Sequence, residues 1–154
     1  MNMTTRRSFI GTLGLGAGWV MLAGSALVSR VARAVDRAAF DVDTLDEVVA
    51  KMGGKGYSPS TDIDFSAPEI ADNGATVPVE VSSRLPGTRC IAIVVDKNPH
   101  PLSCAFNFSA DAVPFVNTRI KVGETSQVTA LVQTDQGFFI AQRTVKVTLG
   151  GCGG

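Results

Sequence analysis

From Thr61 to Leu149 the apolar residues recur mostly at every second position, a period that admits strands and excludes long helices. Thr61 to Phe65 places Ile63 and Phe65 on one face, and Thr76 to Val81 does the same with Val77, Val79 and Val81. Pro78 marks an edge position or a strand start, because proline cannot donate to a ladder. Arg89 to Val95 is almost continuously apolar, as a strand buried on both faces must be. Asn98-Pro99-His100-Pro101 reads as a turn, after which Leu102, Cys104, Phe106 and Phe108 alternate with polar or small residues. Thr118 to Val122 is a short strand. Ser126 to Thr134 follows, with Val128, Ala130 and Val132 inward. Asp135-Gln136-Gly137 is a hairpin turn, and the last strand, Phe138 to Leu149, aligns Val145, Val147 and Leu149. About seven short strands at regular spacing predict an all-β fold, an immunoglobulin-like β-sandwich.

One short helix precedes the strands. Thr44-Leu45-Asp46-Glu47 is a capping box, with Thr44 at the N-cap. Leu45, Val48, Val49 and Met52 continue at helical spacing, and Gly53-Gly54 stops it. A helix of roughly eight to ten residues is too short to stand alone, so it must dock on the sandwich.

The first residues read as an address, not as structure. Thr5-Arg6-Arg7-Ser8-Phe9-Ile10 is a twin-arginine pattern, followed by an uncharged run from Ile10 to Val28 and by Ala32-Arg33-Ala34, which fits a small-x-small cleavage site. Gly11, Gly14, Gly16, Gly18 and Gly24 make that run a poor membrane span. The expected organisation is a signal peptide over 1–34, a helical segment over 35–60, the sandwich over 61–149 and a C-terminal arm over 150–154. Cleavage would remove Arg6, Arg7, Arg30 and Arg33 and no acidic residue. Of 14 basic and 14 acidic residues, 10 and 14 would remain, a net charge of about −4. Nucleic-acid binding, which needs a basic face, is excluded; a soluble periplasmic protein with no membrane attachment after cleavage is expected. Twin-arginine export carries folded proteins. With one His and no CxxC to suggest a bound cofactor, a partner that travels along is the more economical reason for that route.

The side chains offer no enzyme. His100 sits in a Pro-flanked turn and there is no Ser-His-Asp set, no paired carboxylates and no phosphate-binding Gly loop. Three cysteines, an odd number, leave at least one thiol unpaired or intermolecular. Cys90 and Cys104 lie in strand segments, and folding the hairpin about Asn98 and Pro99 sets Cys104 nearest Ile93. Cys90 is then about three residues out of register. That slightly favours two separate buried thiols over a disulfide.

Cys152 is different. It stands in Gly150-Gly151-Cys152-Gly153-Gly154, between two Gly-Gly pairs, directly after the last strand. Glycine brings no packing surface, so a flexible arm on a rigid mount is expected. Leu149 to Cys152 spans roughly 10 Å when extended. The thiol could enter a narrow cleft on another protein with no neighbouring side chain in the way. Lys146 is the nearest base in sequence, six residues off and on a strand, so the thiol keeps a pKa near the free value of about 8.5 and depends on partner enzymes for activation. These features describe a covalent carrier acted on by others.

The GGCGG tail, the twin-arginine signal and the β-rich middle together resemble the SoxY family of sulfur-compound carriers. Ala67-Pro68-Glu69-Ile70-Ala71-Asp72-Asn73-Gly74-Ala75 with Val77-Pro78-Val79, Asn98-Pro99-His100-Pro101-Leu102, and Thr118-Arg119-Ile120-Lys121 carry the resemblance further. Cys90 and Cys104 fall outside the family pattern. The resemblance implies a heterodimer with SoxZ and no cofactor. It implies sulfur intermediates on Cys152, with Gly150, Gly151, Gly153 and Gly154 supplying mobility. The haem enzyme SoxAX would load the thiol and the hydrolase SoxB would release sulfate. A sulfane dehydrogenase would act where the organism has one. The segment Pro68 to Ala75 is structural or partner-facing. Rival readings are a Gly-Gly-tailed thiocarboxylate carrier, against which the export signal argues, and an Ig-like assembly module with an incidental disulfide-forming thiol. Prenylation is a third, but Cys152 is third from the end and that motif needs the fourth.

Overall fold

A computed structural model describes residues 37–148. The expected signal peptide, the start of the helical segment, Leu149 and the arm lie outside them. Arg37–Phe40 form a single 3-10 turn and Leu45–Lys51 the helix α1. Nine strands follow among the described residues: β1 (Tyr57–Pro59), β2 (Ile63–Ser66), β3 (Ile70–Ala71), β4 (Val77–Ser83), β5 (Thr88–Val95), β6 (Leu102–Asn107), β7 (Phe115–Ile120), β8 (Ser126–Thr134) and β9 (Phe138–Val147). No helix among these residues is long and apolar enough to cross a membrane.

Two sheets result. The larger has the order β1-β9-β8-β5-β6, with β3 also on β9; the smaller has the order β2-β4-β7. Between them lies a core of Ile63 and Phe65 (β2), Val77, Val79 and Val81 (β4), Ile91, Ile93 and Val95 (β5), and Val128, Ala130 and Val132 (β8), among others. A second core covers the outer face of the large sheet, where Val48 and Val49 of α1 meet Ala92, Val94, Leu131, Phe138 and Ile140. The two cores explain the unbroken apolar run of β5: its odd residues face the small sheet and its even ones face the helix. The architecture is the immunoglobulin-like sandwich that the period predicts, with the helix docked as a third layer.

The capping box forms as expected. The Glu47 N–H donates to Thr44 Oγ1 and the Thr44 N–H to Glu47 Oε2, each at 3.2 Å. The backbone N–H of Asp43, then the Thr44 hydroxyl, hold the Glu47 carboxyl below its usual range. The helix ends at Lys51, one residue short of its apolar pattern, and Gly53 takes the left-handed φ of 88° that turns the chain away.

Three local readings need correction. The two extra strands, β1 and β3, are too short to show a period, and both lie parallel on the outer edge of β9. Tyr57 is opposite Phe138, and Ala71 is opposite Val147. Pro78 is not on an edge strand: β4 is the central strand of its sheet. The strand-start reading holds, because β2 pairs only with Glu80 to Ser83 and Pro78 lies beyond that ladder. The alternation of β6 is broken by a bulge, since Ile93 is opposite Cys104 but Val94 is opposite Leu102. Leu102 therefore packs in the helix-side core while Cys104 packs toward the small sheet.

Candidate functional site

Cys152, Gly150, Gly151, Gly153 and Gly154 lie outside the described residues. The structure describes the mount from which they follow. Val145 is fully buried and opposite Ser126, the first residue of β8. The next three residues run past that ladder. Lys146 N–H donates to the Glu69 carbonyl (2.8 Å), Val147 N–H to Thr125 Oγ1 (3.1 Å) and Thr148 N–H to the Ala71 carbonyl (3.1 Å). The Thr148 hydroxyl donates to Asp72 Oδ1 at 3.2 Å.

Why Glu69 to Gly74 can lie there is local chemistry. Asn73 Oδ1 accepts the Ala75 N–H at 2.9 Å, the side-chain turn that asparagine favours. The Gly74 carbonyl accepts the Val122 N–H at 2.7 Å. A Cβ at Gly74 would collide with the Val122 carbonyl and come within 2.9 Å of Val147 Cγ1, so only glycine permits the approach.

The other resemblance-bearing stretches meet at the same end of the sandwich. Asn98 Nδ2 donates to the Lys121 carbonyl (2.8 Å), and Asn98 Oδ1 accepts the Gly123 N–H (3.0 Å). Lys97 N–H donates to Ser126 Oγ at 3.1 Å. The β3–β4, β5–β6 and β7–β8 connections are thus tied to one another around the end of β9. Sequence reading left Pro68 to Ala75 without a specific role and passed over Thr125. The Asn73-Gly74 pair was the available signal, a turn whose glycine demands a close backbone approach. His100 is exposed in its turn and Lys146 lies on β9, as read from the sequence; Lys146 is exposed there.

The described cysteines are placed for inertness. Both are free. Cys90 is fully buried opposite Asn107, whereas Cys104 is opposite Ile93, at the register expected from the hairpin. Three positions along β5 separate the two pairings, so the thiols point to opposite faces of the sheet. Burial pushes each thiol up to about 11 from an ordinary 9.0. A raised folded-state pKa means that the unfolded chain ionises first. Stability is therefore full below about pH 9 and falls as pH rises toward about 11. Chemical denaturation across that window should show this slope, and Cys90→Ala should flatten part of it. Disulfide exchange with an aromatic disulfide in the native protein should be slow at both sites, and both should react once the chain is unfolded. Among the described residues, no three of His, Cys, Asp and Glu gather as a metal-binding group.

Residues 49–152 match the family described as sulfur oxidation protein SoxY. The fold is similar to that of the sulfur carrier protein SoxY from Chlorobium limicola f thiosulfatophilum, with 36% identity and a TM-score of 0.61 over 68% of this chain and 94% of that one. A superoxide reductase (neelaredoxin) from Ignicoccus hospitalis shares the fold alone, with 18% identity and a TM-score of 0.52 over 70% of this chain and 100% of that one. No curated protein matches the chain.

Proposed function

The chain belongs to the SoxY family, and from that premise we propose that it is a periplasmic carrier whose Cys152 thiol holds the sulfur intermediates of thiosulfate oxidation and presents them to partner enzymes. The observation that carries this reading is the family match over 49–152. It includes the tail cysteine and continues the strand that ends in the hydrogen-bonded mount at Thr148. The two remaining thiols are withdrawn into the sheet, which leaves Cys152 as the reactive one.

In loading, the Cys152 sulfur forms a bond to the sulfane sulfur of thiosulfate. The thiol releases its proton and two electrons pass to a c-type haem partner of the SoxAX kind. The product is a Cys–S–S–sulfonate. Water then attacks the terminal sulfonate sulfur in a hydrolase of the SoxB kind, the S–S bond breaks, and sulfate leaves with a persulfide remaining on Cys152. The chain itself supplies the sulfur atom and its placement, not the catalytic groups. The twin-arginine pattern supports export to the periplasm together with a SoxZ partner, and the predicted cleavage after residue 34 supports a mature chain free of the membrane. A sulfane dehydrogenase would complete the cycle.

Incubating the exported heterodimer with thiosulfate and the haem oxidase tests the reading by intact mass. One thiosulfonate per chain is the expected result, mapped by peptide analysis to the tail. An unmodified chain under conditions where the oxidase turns over would sink it.

A further inference from the structure

We propose that Glu69 to Gly74 is a clasp that sets the pivot of the carrier arm, with Asp72 and Gly74 as its positioning residues; the inference rests on the carrier reading above. The β8 ladder on β9 stops where Ser126 meets Val145. On the outer edge, the Ser60 N–H reaches the Ile140 carbonyl, and the next backbone bond is Lys146 to Glu69. Lys146, Val147 and Thr148 therefore extend beyond the β8 ladder, and the clasp, through β3, holds them together with Thr125. Without the clasp Val147 keeps only its bond to the Thr125 hydroxyl, and the last residue paired in the β8 ladder is Val145, three positions before Thr148.

That difference fixes how far the thiol reaches. Cys152 lies four residues from a pivot at Thr148 and seven from one at Val145, at most about 14 Å against about 25 Å. A tether of seven residues instead of four dilutes the thiol roughly twofold at a docked enzyme, since effective concentration falls as about the −3/2 power of length. The clasp cannot slide, because Gly74 is wedged between the Val122 carbonyl and Val147. Asp72 adds a side-chain tie at the last residue, through the Thr148 hydroxyl at 3.2 Å. Asp72 is exposed, so its hydrogen bond alone should contribute modestly, and the steric fit at Gly74 carries more.

The pivot can be read without any partner. A nitroxide on Cys152 and a second on the exposed β8 position, through Gln127→Cys, give a distance distribution by pulsed electron resonance. Gly74→Ala should lift the clasp and widen that distribution outward by up to about 10 Å. Thr148→Pro, which removes the donor to Ala71 at an exposed strand end, should widen it too and serves if Gly74→Ala fails to fold. Asp72→Ala should widen it slightly, and Asp72→Asn, which keeps an acceptor, should restore the original distribution. Single-turnover delivery of the loaded arm to the hydrolase should fall roughly twofold in Gly74→Ala, and by less in Thr148→Pro, which leaves Lys146 and Val147 bonded. Distributions unchanged in both variants overturn the proposal, and so does widening with delivery unaltered, which would make the clasp a mere tie. If the wild type never loads, the carrier reading fails, while the distance distributions still decide where the pivot lies.

Discussion

Cys152→Ser is expected to abolish the sulfur conjugate completely, with no compensating modification elsewhere in the chain. The serine hydroxyl does not ionise in any accessible pH range, so no nucleophile of comparable strength remains in the tail. The alternatives within the chain are Cys90 and Cys104. Cys90 has no exposed surface and Cys104 is partly covered at the sheet edge, packed against the core between the sheets. Burial holds both thiols up to about 11, so at neutral pH almost none of either is thiolate, and it is the thiolate that attacks sulfur. Intact mass before and after thiosulfate treatment, on wild type and Cys152→Ser side by side, measures the difference. Conjugate persisting on the serine variant would place the attachment on a strand thiol and remove the tail from the chemistry.

Much of this arrangement is legible in the residues because period and position coincide. The alternation in β2, β4 and β8 names the core-facing side of each strand correctly, and the apolar run of β5 marks the strand that two layers cover. The register of Cys104 against Ile93 follows from counting back from the Asn98-Pro99 turn. What escapes is structure made by pairing and not by pattern. β1 and β3 are three and two residues long, and nothing in Tyr57-Ser58-Pro59 or Ile70-Ala71 announces a parallel partner far downstream in β9, at Phe138 and at Lys146. The bulge in β6 is likewise a property of its partner strand. The mount was half visible. Its strand could be read from Val145 and Val147, but the loop that holds its last three residues depends on backbone bonds from Glu69, Ala71 and Gly74, which sequence periodicity does not encode.

Ile93→Ala should cost about 2–5 kcal/mol of folding stability, far more than any surface change near the arm. Ile93 is fully buried in the middle of β5, with Ala130 of β8 on one side and Cys104 of β6 on the other. Its side chain faces the core between the sheets, where β2, β4 and β7 pack against it from across the sandwich. Truncation removes three carbons and leaves a void that these rigid neighbours close only in part, so the lost transfer energy and the cavity add. Urea denaturation should show a lower midpoint at unchanged slope, since the surface exposed on unfolding hardly alters. Arg143→Ala, exposed on the bare stretch of the β9 edge, should stay within about 0.5 kcal/mol of wild type. A small loss at Ile93 would mean that the core can collapse around the gap, and that the sandwich is a softer base for the arm than its burial implies.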